Sequence, residues 1–269
     1  TVPAVMASRA LEDPKDRLKT ILVTPFMSCS ARLPIYVLFS SMFFPAYAML
    51  AAYSMYVLGI VVAIGAALVM HLFTRKKEIN TLLIELPEYK APNLHSIAIY
   101  TWEKVEDYLR KAGTTIFAAS IVLWVILNFG PSGMVTDMSL SFGAMAGRVV
   151  APLMKPAGLG YWQVVVALIA GLAAKEVVVS SMSVLFGITN VNSAAGMTGM
   201  RAALAGLGFT AVNAYALMTF CLLYTPCMAA VATIRKETNS WKWTAFGAVF
   251  QLLVAWVVAA VVFCVGGML

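Results

Sequence analysis

The sequence predicts an all-α protein, a polytopic bundle of transmembrane helices. Hydrophobic residues make up 61% of its 269 residues and charged residues 12%, whereas globular chains average about 45–50% and about 25%. This composition excludes a water-soluble monomer. In lipid, backbone groups must be hydrogen-bonded within the protein, which favours helices. Most of the uncharged stretches exceed the roughly 20 apolar residues with which a helix crosses a bilayer; these stretches are 33–74, 112–136, 156–174, 177–200, 202–234 and 243–269.

The charge distribution is typical of a membrane protein rather than of a nucleic-acid-binding protein. The net charge of +7 comes from lysines and arginines that lie mostly beside the ends of the apolar stretches, as positive-inside topology requires. The strongest cluster, Arg75-Lys76-Lys77, marks a cytoplasmic segment, and we expect no binding to nucleic acid. The four cysteines show no C-x-x-C spacing, so a secreted disulfide framework is not expected.

Composition divides the chain into three parts. Residues 1–74 hold a charged connector and membrane segments that end in a helix over 45–71. Residues 75–111 are the extended polar region, where we expect a cytoplasmic elbow and then an amphipathic helix on the membrane surface, capped by Asn93. Residues 112–269 hold the remaining transmembrane helices.

Two of the helices in the third part are expected to be interrupted. Lys175-Glu176 lies in the middle of an apolar stretch, and 171–176 is the candidate for the tip of a re-entrant hairpin. A second interruption falls at Thr225-Pro226-Cys227. If 75–111 and 235–242 are both cytoplasmic, the number of crossings between them requires that at least one segment there is re-entrant or wrongly assigned. The predicted helices cover 113–129, 161–186, 211–234 and 244–265.

A weak internal repeat links the two ends of the chain. Thr24-Pro25 and Thr225-Pro226 each break an apolar segment, and a thiol follows each break, at Cys29 and at Cys227. Pro25 and Pro34 flank the first polar patch, so 25–34 cannot be one regular helix. Paired breaks in corresponding halves of a chain indicate a transporter binding site at the repeat interface.

Few polar groups lie at membrane depth, and their chemistry suits a metal. Broken helices expose carbonyl groups, and thiols, carbonyls and a carboxylate together suit a borderline divalent transition metal better than Mg²⁺ or Ca²⁺. His71 and His95 have no histidine partner at zinc-site spacing. The polar groups are Ser28, Cys29, Ser30 and Arg32; Lys175, Glu176, Ser180 and Ser181; and Asn213, Thr225 and Cys227.

Four motifs in order resemble the membrane domain of the ferrous iron transport protein B family. They are TVPAVMASR at 1–9, PFMSCSARLP at 25–34, AKEVVV at 174–179, and YTPC at 224–227 followed by IRKE at 234–237. Ser30 stands where many members have glycine, and the family places Gly-Cys directly before the residues that match Thr1-Val2-Pro3. The resemblance implies a bacterial inner-membrane importer of Fe²⁺ with two gate-like repeats that contain broken or re-entrant helices. Residues 1–74 would then include the end of the first repeat and 112–269 the second.

The resemblance also implies which residues line the Fe²⁺ path. We predict that Cys29, Cys227 and Glu176 are metal ligands. Glu176 is favoured over Lys175 because adjacent helical side chains point about 100° apart; mutual neutralisation of the two, or of a neighbouring helix end, is the alternative. Cys221 and Cys264 are interpreted as packing residues. The other residues predicted to line the path are Ser28, Ser30, Met27, Lys175, Ser180, Thr225 and Met228.

The expected partners follow from the same resemblance. They are Fe²⁺ as substrate, the lipid bilayer, the protein's own N-terminal GTP-binding domain and first transmembrane helices, small accessory proteins, and a second copy of the chain. No G-x-x-x-x-G-K-[ST] pattern occurs, so GTP is expected to act only through that further domain. We therefore expect a permease part that is not itself an enzyme and has no cofactor of its own.

Two other function classes stay open. Gate-like repeats resemble those of nucleoside-binding membrane proteins, and a fold does not fix a function, so a transporter of a nucleoside or another small polar solute is one alternative. A membrane thiol oxidoreductase that uses Cys29 and Cys227 is the other.

Overall fold

Most of the described chain is helical, which confirms the predicted all-α fold class. The structure, a computed structural model, describes residues 1–11, 13–73, 93–111, 114, 117–131, 133–135, 138–188 and 190–268. A short antiparallel hairpin pairs β1, Phe129–Gly130, with β2, Gly133–Met134. The α-helices among the described residues are α1 Val2–Ala7, α2 Pro14–Val23, α3 Leu33–Phe43, α4 Ala48–Phe73, α5 Leu94–Lys111, α6 Phe117–Asn128, α7 Phe142–Met154, α8 Trp162–Ala170, α9 Val177–Leu185, α10 Ala194–Gly206, α11 Ala211–Leu223, α12 Met228–Thr238 and α13 Trp241–Gly266.

The helices confirm a multi-pass membrane protein. Among the described residues, four segments are long and apolar enough to cross a membrane, and a pair of helices bent by 101° adds a fifth if it counts as one span. A bend of this size is typical of a broken span or a re-entrant loop. The four segments are Pro14–Phe43, Ala48–Leu72, Ala211–Thr238 and Trp241–Gly266, and the bent pair is Phe142–Ala157 with Trp162–Ala170.

The unbroken helices lie close to their predicted positions. α4 begins at Ala48 rather than at residue 45, because 45–47 form a turn. α13 begins at Trp241, three residues before the predicted start. α5 follows Asn93, whose Oδ1 accepts a hydrogen bond from the backbone N–H of His95 at 3.0 Å, so the predicted cap is confirmed. The predicted elbow over 75–92 lies outside the described residues.

Both predicted Thr-Pro breaks are present. α2 passes into a short 3₁₀ turn at Thr24–Phe26, then into non-helical backbone over 27–29, before α3 begins. The second break, 224–227, separates α11 from α12. The predicted helix over 161–186 is two helices, α8 and α9, which pack on each other around a turn at 171–176.

α11 is the central helix of the bundle. It packs against α13, α3 and α4, and most of its side chains are buried. Asn213 fixes its first turn: the Oδ1 atom accepts a hydrogen bond from the N–H of Thr210 at 2.9 Å, and the Nδ2 atom donates to the carbonyl of Gly158 at 2.6 Å. Because α11 is held at its start and along its length, the break at its C-terminal end has a fixed position.

The packing of α7 against α8 was not predicted from the sequence. Gly147 makes it possible, because a Cβ atom there would lie 2.7 Å from Val166 Cγ2 and 2.9 Å from the carbonyl oxygen of Trp162. The turn between the helices uses Gly158, which has a φ of 70° that other residues rarely adopt.

We expect Gly147→Ala to destabilise the bundle by about 1–3 kcal/mol, because the new methyl group forces α7 away from the backbone of α8. The melting temperature in detergent measures the effect. Gly65→Ala in α4 is the matched control: no atom lies within 4 Å of the position that its new Cβ would take, and alanine is the better helix former. Equal melting temperatures for the two variants would contradict the close α7–α8 contact.

Candidate functional site

A buried arginine donates hydrogen bonds to the free carbonyl groups at the first helix break. The Arg32 guanidinium donates to the carbonyl of Pro25 from Nη1 and Nη2, both at 3.1 Å, and to the carbonyl of Met27 from Nη1 at 3.0 Å. Only 1% of Arg32 is exposed. Carbonyls at a helix break have no intrahelical partner and must be satisfied by another group when they are buried. Arg32 supplies that group from the same short segment.

At the second break, the hydrogen-bond donor is a buried lysine from the hairpin of α8 and α9. Lys175, also 1% exposed, donates from Nζ to the carbonyl of Thr225 at 2.7 Å. The same Nζ atom lies 2.9 Å from the centre of the Tyr224 ring, where the negative face of the ring attracts a cation. The backbone N–H of Met228 donates to the carbonyl of Leu172 at 2.9 Å. The turn at 171–176 therefore docks directly on the break at 224–227.

The structure brings the two breaks into one neighbourhood. Lys175 interacts electrostatically with Arg32 and with the thiols of Cys29, Cys221 and Cys227. Three of the predicted site residues, Cys29, Cys227 and Lys175, therefore lie in the same part of the fold. It lies where the end of α11 meets the segment between α2 and α3.

Close packing surrounds this region on two further sides. Gly59 of α4 lies against the first break, where a Cβ atom would be 2.9 Å from the carbonyl oxygen of Phe26. Gly171 has no room for a Cβ atom between Val178 and the Tyr224 hydroxyl. The Ser28 hydroxyl donates to the Tyr36 hydroxyl at 3.5 Å. Backbone and apolar side chains thus pack directly against both breaks.

Glu176 faces a different environment from its neighbour Lys175. Its side chain is exposed and lines an open groove of about 430 Å³. No ion pair joins Lys175 to Glu176 in the described part of the chain. Lys175 instead donates to the Thr225 carbonyl just beyond the end of α11, which agrees with the other form of the alternative, neutralisation of a neighbouring helix end. The other residues that line the groove are Pro34, Val37, Leu38, Ser41, Val179, Ser180, Asn192 and Met197.

The remaining predicted residues lie around the breaks with different exposure. Met27 and Met228 are 48% and 43% exposed. Ser30 is exposed, whereas Ser28 and Thr225 are half-buried, and Thr225 donates from Oγ1 to the carbonyl of Ala248 in α13 at 3.1 Å. The Thr225 hydroxyl is thus engaged with a neighbouring helix.

A three-residue metal site is not assembled in this conformation. Among the described residues, no three histidine, cysteine, aspartate or glutamate side chains lie close enough together to hold a metal ion. Cys29 and Cys227 share the region of the breaks, and Glu176 lies in the groove. Their role as ligands stays a prediction.

Cys221 lies nearer to the site than its interpretation as a packing residue implied. It is fully buried in α11, and its thiol interacts electrostatically with Lys175 and Arg32. Cys264 is exposed near the end of α13. Of the two cysteines interpreted as packing residues, only Cys264 is therefore remote enough to serve as a clean control.

Sequence reasoning missed an ion-pair cluster that joins the two broken helices. Glu237 at the end of α12 accepts hydrogen bonds from Arg9 Nε at 2.8 Å and from Arg17 Nη2 at 2.9 Å, and its side chain is 1% exposed. The hydrogen bond with Glu237 raises the pKa of Arg9. Arg9 and Glu237 both stand in the quoted motifs, but only the fold reveals that residues 228 positions apart form a pair.

Two family models match the chain. The first is described as ferrous iron transport protein B C terminus and matches residues 52–104. The second, Gate, is described as nucleoside recognition and matches residues 109–241. The second match spans the end of α5 to the start of α13, including the hairpin of α8 and α9 and the break at 224–227.

Curated relatives match over nearly the whole chain. A protein named Fe(2+) transporter FeoB from Staphylococcus aureus is 42% identical over 98% of this chain, and one from Methanocaldococcus jannaschii is 41% identical over 100%. A Porphyromonas gingivalis protein named Fe(2+) transport protein A/Fe(2+) transporter FeoB fusion protein is 34% identical over 98% of this chain. The chain spans 39%, 40% and 36% of the lengths of these three relatives. No solved structure matches.

We expect Arg32→Met to lower stability by at least about 2 kcal/mol, because the carbonyls of Pro25 and Met27 lose their buried donor. The melting temperature in detergent and protection of 25–32 from limited proteolysis measure the effect. Arg201→Met, at an exposed position of α10, is the control and should change stability by no more than about 0.5 kcal/mol. An Arg32→Met protein as stable as the control would mean that the first break does not depend on the guanidinium.

Proposed function

We propose that this chain, which belongs to the ferrous iron transport protein B family, forms the part of a membrane transporter through which Fe²⁺ passes where the two broken helices meet. One observation carries the proposal: the thiols of Cys29 and Cys227, each next to a Thr-Pro break, lie within electrostatic range of Lys175, which is bonded to the second break. Relatives that are 41% and 42% identical are named Fe(2+) transporters.

The chemistry of the region suits ferrous iron as cargo. Fe²⁺ is a borderline cation that accepts thiolate ligands as well as oxygen ligands, and helix breaks offer carbonyl oxygens without an obligatory helical partner. In this proposal Cys29 and Cys227 bind the ion from opposite breaks as thiolates. Ser28, Ser30, Thr225 and the two exposed methionines, Met27 and Met228, line the approaches.

Glu176 acts at the open groove in this proposal. Its carboxylate stands beside Ser180, Ser41 and Asn192, so the groove offers oxygen ligands that suit a hydrated dication. An exposed carboxylate raises the local concentration of cations around it. Fe²⁺ would then bind first at Glu176 and afterwards, with less water, at the thiols.

The wider setting is part of the same proposal. Since the relatives are longer, we propose that transport is coupled to GTP through an N-terminal domain and completed by preceding transmembrane helices. We place the protein in the bacterial inner membrane, with an accessory protein as partner, which the fusion relative supports, and with assembly of several copies. The chain itself is proposed to act as a permease with no resident cofactor.

A nucleoside or similar polar solute is the second candidate substrate, because the matching Gate model is described as nucleoside recognition. The groove beside Glu176 offers hydroxyl and amide groups that could bind a ribose. Thermal stabilisation separates the candidates: divalent transition metals should raise the melting temperature of the full-length protein, and nucleosides should not. The thiol oxidoreductase class has no support from the names of the relatives.

We expect Cys29→Ser and Cys227→Ser each to lower Fe²⁺ uptake by the full-length protein in cells at least about tenfold, because serine is a poor ligand for a borderline cation. Uptake of radioactive iron, normalised to membrane expression, measures the loss. Cys264→Ser is the control and should transport like the wild type. Wild-type uptake by the double mutant of Cys29 and Cys227 would reject the ligand role.

We expect Glu176→Gln to raise the KM for Fe²⁺ several-fold with a smaller effect on the maximal rate, because it removes the carboxylate that attracts the ion while keeping its shape. Uptake at a series of iron concentrations separates the two parameters. Glu103→Gln, on the exposed helix α5, is the matched control. If both variants behave alike, Glu176 has no part in ion capture.

A further inference from the structure

At each helix break, the carbonyl groups are bonded by a cation for which the described part of the chain provides no acidic partner. Arg32 and Lys175 are each 1% exposed, and among the described residues no carboxylate lies within 4.0 Å of either. Burying a charge without a counter-charge is costly, so such a group is retained only where the surroundings hold it. Here the surroundings are carbonyl oxygens, a ring face and thiols.

The groups around Lys175 are those that a transported cation would use. Its Nζ atom contacts the carbonyl oxygen of Thr225 at 2.7 Å and the face of the Tyr224 ring at 2.9 Å. The thiols of Cys29, Cys221 and Cys227 lie within electrostatic range. A carbonyl, an aromatic face and thiols all attract positive charge, so the ammonium group occupies a cation-binding position inside the protein.

A divalent cation and this ammonium group cannot share the region. At a few ångströms, a dication and a unit positive charge repel each other strongly even with the screening found inside proteins. A dication can therefore enter only once the ammonium group has withdrawn or given up its proton. With Lys175 in the observed position, the path proposed above is closed to Fe²⁺.

Of the two buried cations, Lys175 is the one able to move. Arg32 is fixed by three hydrogen bonds to two carbonyls of its own segment. Lys175 has one hydrogen bond, sits in the turn at 171–176 rather than in a helix, and carries its charge on a flexible four-carbon stem.

We propose that Lys175 is a tethered cation that closes the ion path: its ammonium group occupies the position that the substrate cation must take and is displaced when that cation binds. This inference rests on the proposed function. It adds that the conformation described here is the closed one, in which the protein supplies its own cation, and that binding of the substrate is an exchange of one cation for another.

The test uses Cd²⁺, a thiol-binding divalent ion without redox chemistry, on the full-length protein in detergent. The readout is the rate at which a maleimide alkylates Cys29 and Cys227. The half-protecting concentration is the Cd²⁺ concentration that halves this rate, relative to the rate of the same variant without metal. We expect Lys175→Met to lower this concentration about tenfold, because Cd²⁺ no longer displaces a hydrogen-bonded ammonium group. Lys155→Met, an exposed lysine in a short 3₁₀ turn, should leave it unchanged.

The direction of the change separates this proposal from its main rival. If the ammonium group only stabilises the neighbouring thiolates, its removal weakens metal binding and the half-protecting concentration rises. If Lys175 only holds the turn in place, the concentration stays the same or rises. Either result overturns the proposal, whereas a fall of about tenfold supports it.

A second pair of variants covers the case in which Lys175→Met does not fold. Tyr224→Leu removes the ring beneath the ammonium group and should also lower the half-protecting concentration. Phe220→Leu removes the ring stacked on Tyr224 at 5.2 Å and should not. Equal values for these two variants overturn the proposal, as does a rise in Tyr224→Leu.

Complete absence of protection in every variant and the wild type rejects the proposed function together with the closing role of Lys175. Protected wild-type thiols without a gain on substitution reject only the closing role.

Discussion

The architecture depends on how backbone carbonyls are satisfied where a helix breaks inside the membrane. Lipid offers no hydrogen bonds, so each carbonyl that has no helical partner at a break needs a donor from the protein. At the first break the donor is Arg32, and at the second it is Lys175. Because both donors are cations, the requirement for hydrogen bonds also sets the charge of the region. Two positive charges stand where an iron path is proposed.

In this arrangement, the group that attracts a cation and the groups that control its passage lie in different places. The exposed carboxylate of Glu176 stands at an open groove, and one residue earlier the chain turns its Lys175 ammonium group inward against Thr225. Neighbouring positions thus carry opposite charges into different environments. A fixed arginine and a movable lysine near the thiols of Cys29 and Cys227 make the buried region unfavourable to a dication until the lysine moves.

Much of this fold follows from local sequence signals, and the site follows only in part. Uncharged stretches predict α4 and α13, and Thr-Pro predicts both breaks, because these effects act within a few residues. The contact between Lys175 and Thr225 joins residues 50 positions apart, and the Arg9–Glu237 pair joins residues 228 apart. No local pattern encodes such pairs. The bend between α7 and α8 was missed for the same reason, since it depends on the fit of Gly147 against a neighbouring backbone.

Contacts with α13 and with the Glu237 cluster also fix the positions of the two breaks relative to each other. Helix α13 contacts both: Gln251 Nε2 donates to the carbonyl of Leu22 at 3.3 Å before the first break, and the Ala248 carbonyl accepts from Thr225 at the second. On the other side, Glu237 at the end of α12 binds Arg17 of α2. A shift of one broken helix therefore strains contacts of the other. If the Lys175 side chain withdraws, the breaks remain aligned, because the contacts of α13, the Glu237 cluster and the Met228–Leu172 hydrogen bond do not involve its ammonium group.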